Sequence, residues 1–322
     1  MKRGAYKVRA ILLNSVDYSE SDRILTFYTE EFGKMSGIAK GARRSRKRFV
    51  ANIDPLCHST LLLFHNGKSD LVRIDDATLI DGHVALKADI EKYSIGCYML
   101  ELVHEMTREG HALRDVYALL TDFLGLLDKS GGPSADFYGA DSKGSYSEGT
   151  DSDNALLRFF EIKLLSVLGY LPHLNGCVEC AEPIAGTGAT IVKSGTGSAV
   201  GNGGSLYFSP ERGGAVCAPC GEAIGAALGT SGTGWRPAPE PFDLFSAARR
   251  GNSTGGLQPV STGTVRWLSA AARFDSGKLA RLKTSPVFLK EGEKLLGDFI
   301  RHQIGKELKT KLFMHKLKGA MT

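Results

Sequence analysis

The chain has no apolar run of 18 residues, so it contains nothing long enough to span a membrane as a helix. Its first residues, MKRGAYKVRAILLN, are basic, but only Ala10 to Leu13 are consecutively apolar. A secretory signal needs a longer apolar region, so a cytoplasmic location is expected. Cysteine is scarce. Six in 322 residues are too few for a secreted disulfide scaffold. Charge is also modest, with a formal net of +5. Charged residues make up 23% of the chain and hydrophobic ones 42%, a balance that excludes a fully disordered protein. Glycine, by contrast, is in surplus, with 39 residues, roughly 12% against an average of about 7%.

The small net charge is unevenly placed. Residues 1–80 hold 14 Lys+Arg and nine Asp+Glu, while the remainder holds 26 of each. Six of those cations fall between Lys40 and Arg48: Lys40, Arg43, Arg44, Arg46, Lys47 and Arg48. Mutually repelling cations at that density suit a polyanion, which makes the run a candidate nucleic-acid contact, with Arg23 and Lys34 as further candidates. A solvated loop is the other reading of the run, and both stand at this point. Tyr6, Tyr18, Phe27, Tyr28, Phe32, Phe49 and Phe64 lie in the same region. Exposed aromatics of this kind would stack unpaired bases, although core packing accounts for most of them.

Short β-prone runs fill the first 82 residues: Val8 to Leu13, Ile24 to Thr29, Met35 to Ala39, Thr60 to Phe64 and Leu71 to Ile74. Turn signals at Glu31-Phe32-Gly33-Lys34, Lys40-Gly41 and Asn66-Gly67 separate them. Five short strands in that span predict a small closed barrel of OB-fold type. The period then changes. Leu86, Ile90, Tyr93, Cys97, Leu100, Val103 and Met106 predict an amphipathic helix, and Val116 to Leu127 a second. Ala155 to Leu168 is apolar on nearly every face, as in a helix buried within a bundle. A last helix is predicted over Glu291 to Leu317, with Leu296, Ile300, Ile304, Leu308 and Leu312 on one stripe. The expected class is therefore α+β: an OB-fold domain over 1–82 and an all-helical domain over 83–322. Segments 130–154, 185–204 and 229–264 are rich in Gly and Ser and read as flexible insertions that absorb much of the glycine.

Four cysteines form two Cys-x-x-Cys knuckles, Cys177/Cys180 and Cys217/Cys220. Each knuckle turns tightly enough to aim two thiolates at one ion, so together they predict a tetrahedral Cys₄ zinc module over 177–220. The 36 residues between Cys180 and Cys217 exceed the usual separation of about 15–20. Doubling a loop costs only about 0.6 kcal/mol of closure entropy, against roughly 10–16 kcal/mol for structural zinc. A redox dithiol pair or a disulfide would compete, but two knuckles in a cytoplasmic chain argue against both. Four sulfur ligands leave no open position, so such a zinc would be structural and not catalytic. Cys57 and Cys97 stand alone in apolar context and are expected in the core.

Fragments of enzyme motifs fail on inspection. Gly67-Lys68-Ser69 lacks the upstream glycine of a phosphate loop, where Leu62 stands instead. His104-Glu105 is followed by Arg108, not by a second histidine. Gly251-Asn252-Ser253-Thr254-Gly255 has no preceding strand. No catalytic residue is predicted.

The combined pattern resembles the RecO recombination-mediator family. The resemblance rests on Glu20-Ser21-Asp22-Arg23-Ile24-Leu25-Thr26, Phe32-Gly33-Lys34 and Ala39-Lys40-Gly41-Ala42-Arg43-Arg44. It continues through Phe160-Glu161, Leu164-Leu165, Leu168-Gly169-Tyr170 and Pro172, the two cysteine knuckles, Phe208-Ser209, Gly213-Gly214, and Gly305 to Thr310. It covers nearly the whole chain outside the three insertions; those within 130–154 and 185–204 depart from the family pattern. It implies an N-terminal OB-fold, a helical C-terminal domain, and zinc in members that keep the cysteines. It also implies binding to single- and double-stranded DNA and ATP-independent annealing. The implied partners are RecR, the acidic tail of single-strand-binding protein and, indirectly, RecA, in a nucleoid-associated setting. A zinc-containing adaptor and a nucleic-acid enzyme with an unrecognised site are the rival readings.

Overall fold

The computed structural model describes residues 1–45, 47–49, 52–69, 71–130, 148–184, 206–230, 256–275, 279 and 282–321. Two compact units are present: residues 1–169 together with 308–322, and residues 170–307.

The first unit begins with five strands: β1 (Gly4–Asp17), β2 (Arg23–Thr29), β3 (Gly33–Ala39), β4 (His58–His65) and β5 (Val72–Asp81). They close into a barrel in the order β1-β2-β3-β5-β4. Neighbours are antiparallel except β3 and β5, which run parallel with Gly37 opposite Val72. This closure and connection order are those of a five-stranded OB-fold. Alternation explains the filling. Val8, Ala10 and Leu12 of β1, Leu25 and Phe27 of β2, Leu61 and Leu63 of β4, and Val72 and Ile74 of β5 share one buried cluster. At Gly37 a Cβ would lie 3.0 Å from the Val72 and Ile74 side chains, so a glycine lets the parallel seam close. β1 is longer than its apolar run because it pairs with β4 over Gly4–Ile11 and with β2 over Ala10–Asp17, with a register shift between Leu12 and Asn14.

Helices α1 (Val84–Ala88), α2 (Ile90–Met106), α3 (Arg114–Lys129) and α4 (Glu148–Val167) follow. The first predicted helix is thus split. Asp89 leaves helical geometry, and its carboxylate caps α2 by accepting from the Glu91 and Lys92 amides. Leu102, Leu120, Phe123, Leu156, Phe159 and Phe160 are buried in this unit. Within α4, Arg158 and Glu161 form a buried ion pair at 2.9 Å, and the Tyr98 hydroxyl of α2 donates to Glu161 at 2.7 Å.

The second unit contains strands β6 (Leu206–Ser209), β7 (Gly214–Cys217) and β8 (Gln258–Val260), ordered β7-β6-β8. With them are helices α5 (Ala218–Thr230), α6 (Thr262–Arg273) and α7 (Pro286–Ile304). The α+β class and the barrel followed by helices are as expected. The strands within 83–322 are not: each has three or four residues, too few for periodicity to register, and although β6 and β7 form a local hairpin, β8 joins β6 from far along the sequence.

The predicted last helix is two helices. Gly305 adopts φ +79° and ends α7, and α8 (Lys309–Met321) begins four residues later within the first unit. The Glu101 carboxylate of α2 accepts from the Lys309 and Thr310 amides at 3.0 and 2.8 Å and so caps α8. Leu308 is buried, but Leu312 is exposed, so the stripe does not run through the break. The expected insertions fall largely outside the described residues, namely at 131–147, 185–205 and 231–255.

Candidate metal centre and nucleic-acid interface

The two knuckles meet within the second unit. Cys177 and Cys180 lie on a tight turn in which the Cys177 amide donates to the Glu182 carbonyl and the Ala181 amide donates to the Cys177 carbonyl, both at 2.9 Å. Ala181 takes φ +62° to close it. The Val178 amide donates to the Ala215 carbonyl at 2.9 Å, tying this turn to β7. His173 exchanges further backbone bonds with Gly213 and Ala215, both 2.8 Å. Cys217 is the last residue of β7, and Cys220 lies in the first turn of α5, where the helix N-terminus favours a thiolate. Backbone pairing therefore brings the knuckles together whatever the length of the loop between them.

All four sulfurs lie within 4.8 Å of one another, and Cys180 Sγ is 3.7 Å from Cys217 Sγ. A tetrahedron with metal–sulfur bonds of about 2.3 Å has edges of about 3.8 Å. The donor set, its closeness and its unbridged thiols all fit a four-coordinate soft metal. Burial pushes the Cys177 thiol up, but backbone N–H groups of Cys217, Cys180 and Glu179 outweigh it, and the thiol is lowered to about 7. Burial raises Cys217, and the hydrogen bond to Cys217 raises Cys220. Cys177 thus favours its thiolate while Cys217 and Cys220 favour their thiols, a situation that a divalent cation relieves. Among the described residues, this is the only group of three or more His, Cys, Asp or Glu side chains placed to hold a metal.

The basic run leaves β3 at the Lys40-Gly41 turn. Asp22 Oδ1 accepts from the Gly41 amide at 2.8 Å and from the Ser21 hydroxyl at 2.8 Å. The Gly41 amide and the Ser21 hydroxyl together hold this carboxyl below its ordinary value. A short 3₁₀ turn, Ala42–Arg44, follows. The far end of the run is fastened by Asn52, whose amide donates to the Arg48 and Ala77 carbonyls at 3.0 and 2.6 Å. Phe49 and Ile53 plug the barrel. The loop is therefore pinned at both ends to the barrel wall.

Its cations divide into two sets. Arg43 Nε reaches Asp17 at 3.3 Å, Arg44 reaches Glu20 at 3.2 Å, and Arg23 lies between Asp17 and Asp54 at 3.0 and 3.1 Å. Lys40, Lys47 and Arg48 are exposed and have no ion pair among the described residues; Arg48 instead donates to the Asp75 and Lys40 carbonyls and covers the Phe49 ring. Sequence reasoning missed the carboxylate partners. The acidic residues were visible at positions 17, 20 and 54, but only the folded loop shows which cations they meet. Arg46 lies outside the described residues.

Lys34 must be withdrawn from the candidate interface. It is 8% exposed, and its ammonium donates to the carbonyl oxygens of His104 and Thr107. Burial lowers its pKa, with Glu109 and Glu105 opposing. A cation spent on two backbone carbonyls cannot reach a phosphate. Of the aromatics, Phe27, Tyr28 and Phe49 are core residues, Tyr6 packs edge-on against Phe32, and Tyr18 alone is largely exposed, at 64%. Cys57 is fully buried as expected, whereas Cys97 is only partly so. Asn66 accepts from the amides of Lys68 and Ser69, so Gly67-Lys68-Ser69 is an ordinary hairpin turn. The other false motif, at 251–255, lies outside the described residues.

Comparison with known proteins joins the two sites. The family model described as Recombination protein O N terminal matches residues 1–83, and that described as Recombination protein O C terminal matches 87–138, 145–214 and 213–312. The DNA repair protein RecO of Syntrophus aciditrophicus is 28% identical over 308 residues, covering 96% of this chain and 94% of that protein. That of Syntrophotalea carbinolica is 32% identical over 250 residues, covering 76% and 82%. That of Anaeromyxobacter dehalogenans strain 2CP-C is 26% identical over 314 residues, covering 97% and 96%. With both halves of its length matched in order, and the barrel and clustered cysteines in place, the chain belongs to the RecO family.

Proposed function

We propose that this protein is a DNA repair and recombination mediator that binds DNA and anneals complementary single strands without ATP or covalent chemistry. Residues 1–82 act as the DNA-binding domain, and residues 83–322 as the helical domain that carries the metal module. The observation that carries this reading is the pinned cationic loop on the barrel, in a chain whose relatives are named DNA repair proteins. Lys40, Arg43, Arg44, Arg46, Lys47 and Arg48, with Arg23 beside them, meet phosphates. Exposed ion pairs such as Arg44–Glu20 contribute little to stability, so a polyanion displaces the carboxylates at small cost. Neutralising two strands on one loop lowers their mutual repulsion, and annealing follows from that.

Action with RecR, recruitment through the acidic tail of single-strand-binding protein, and the resulting loading of RecA belong to the same reading, as does a nucleoid-associated location. They are supported by family membership and not by any residue of this chain. The metal is zinc, held by Cys177, Cys180, Cys217 and Cys220. Bound there, it supplies a structural cross-link between β7, α5 and the 177–180 turn, with no open position for chemistry.

Titration of a labelled oligonucleotide against salt tests the DNA contact. Six neutralised phosphates on a single strand give a slope of log K against log salt near about −4. Replacing Arg43, Arg44, Arg46, Lys47 and Arg48 together removes most of that slope. An unchanged slope overturns the assignment.

A further inference from the structure

The four thiols of the metal centre are not equally placed. Cys177 and Cys217 are buried, at 1% and 5% exposure, Cys220 is half-buried, and Cys180 is exposed. The Cys177 sulfur also accepts from the Glu179 and Cys217 amides, each at 3.4 Å. Those donors draw charge from the sulfur and hold it in place. Among the described residues no amide donates to the Cys180 sulfur. Reaction of a thiolate with an oxidant follows its electron density and its access to solvent. Cys180 is therefore the sulfur that a peroxide meets first.

Across the site, Cys217 Sγ lies 3.7 Å from Cys180 Sγ. The two cysteines belong to different knuckles, and the backbone around them is already paired. The Val178 amide donates to the Ala215 carbonyl at 2.9 Å, and the Ala215 amide donates to the His173 carbonyl at 2.8 Å. A bond between the two sulfurs then needs side-chain rotation alone, and no strand or turn has to part. Pairing Cys180 with Cys177 instead would take the Cys177 sulfur from the two amides it accepts. It would also leave the knuckles unlinked.

We propose that this centre is an oxidation site at which Cys180 and Cys217 exchange the metal for a disulfide. The inference rests on the zinc reading above and adds a reactivity to it. The Cys180 thiolate attacks one oxygen of hydrogen peroxide, the O–O bond breaks, a sulfenic acid forms and hydroxide leaves. The Cys217 thiolate then attacks the Cys180 sulfur, the S–S bond forms, and the sulfenic oxygen leaves as a second hydroxide. Two protons from solvent convert both hydroxides to water. Peroxide is reduced, and each of the two sulfurs is oxidised by one electron. Cys177 and Cys220 remain, too few ligands for a closed tetrahedral site, and the ion is released. The disulfide now ties the 177–180 turn to β7, as the metal did, so the unit keeps its fold. Because Cys180 is exposed, a reducing thiol can attack the bond and return the site to its metal-binding form.

The test adds hydrogen peroxide to the full-length, zinc-loaded protein and follows released zinc with a chromogenic chelator. Unreduced peptides are mapped by mass spectrometry at the same times. The bound zinc should appear in step with a Cys180–Cys217 linkage, while far-ultraviolet circular dichroism stays unchanged. A thiol reductant with zinc should restore the metal content; reductant with chelator should unfold the second unit. Cys180→His keeps a zinc ligand but has no sulfur to oxidise, so its zinc release should slow several-fold. Cys97→Ser, which removes a half-buried thiol outside the centre, should leave release unchanged. A Cys177–Cys180 linkage in the intact protein, zinc retained against peroxide, or release at full speed from Cys180→His overturns the proposal while the zinc reading stands. If Cys180→His does not fold, the peptide map of the intact protein still decides the pairing. If the purified protein holds no zinc, the zinc reading fails and this proposal fails with it.

Discussion

Lys34 of β3 donates to the carbonyl oxygen of Thr107, 73 residues away, and so fastens the barrel wall to the α2–α3 connection. A buried cation engaged in this way is structural. Hydrogen bonds to charged groups contribute about 1.5–3 kcal/mol each, and removal also strands their carbonyl partners. Lys34→Met is therefore expected to lower stability by a few kcal/mol, on the order of one or two such bonds. Chemical denaturation measures this. The salt slope of DNA binding stays at its original value, which separates Lys34 from the loop cations.

The cysteine cluster predicts one tightly bound zinc per chain. Metal analysis of protein purified without added zinc should find it, and a strong chelator should unfold the second unit. Cys177→Ser or Cys217→Ser should lose the metal and much of the roughly 10–16 kcal/mol that structural zinc binding supplies. Purified protein with no ion, and with Cys177 and Cys180 oxidised, contradicts the site.

Within α4, Glu161 is fully buried against Arg158 and Tyr98. Removing one partner leaves an uncompensated buried charge, which costs about 3–5 kcal/mol. Glu161→Leu should therefore destabilise the first unit by that amount, while replacing Arg158 and Glu161 together by apolar residues should cost much less. A double-mutant cycle by urea denaturation checks both.

His58 supplies a pH dependence. Its Nε2 lies 2.7 Å from the Tyr117 hydroxyl in a buried setting, near His83, Arg9 and Asp81. Burial, then the charges of His83 and Arg9, lower its pKa below the ordinary 6.5, with Asp81 opposing. The folded protein therefore binds this proton less readily than the unfolded chain. This contribution is fully present above pH 6.5 and is lost as pH falls from there through the lowered folded value. Denaturation midpoints should drop across that window, and His58→Gln should flatten the drop. Equal pH dependence in the variant contradicts the assignment.

The barrel was legible because its strands alternate: Leu25 and Phe27, Leu61 and Leu63, Val72 and Ile74 reveal their parity without any knowledge of their partners. The cysteine knuckles were legible because their spacing is local. What was hidden depended on long-range pairing. The helix break at Gly305 is marked by one residue, whereas the cap on α8 comes from Glu101, over 200 positions earlier. Lys34 reads as a surface cation in any window of sequence, because its carbonyl partners lie on a distant connection. The split of the basic run into paired and unpaired cations required the positions of Asp17, Glu20 and Asp54 in space.

Annealing tests the central claim most directly. Two complementary labelled oligonucleotides are mixed without ATP, with and without single-strand-binding protein, and duplex formation is followed over time. The intact protein should accelerate duplex formation in both settings, and the variant lacking the charges at 43, 44, 46, 47 and 48 should not. Duplex formation at the uncatalysed rate with intact, zinc-loaded protein would contradict the account.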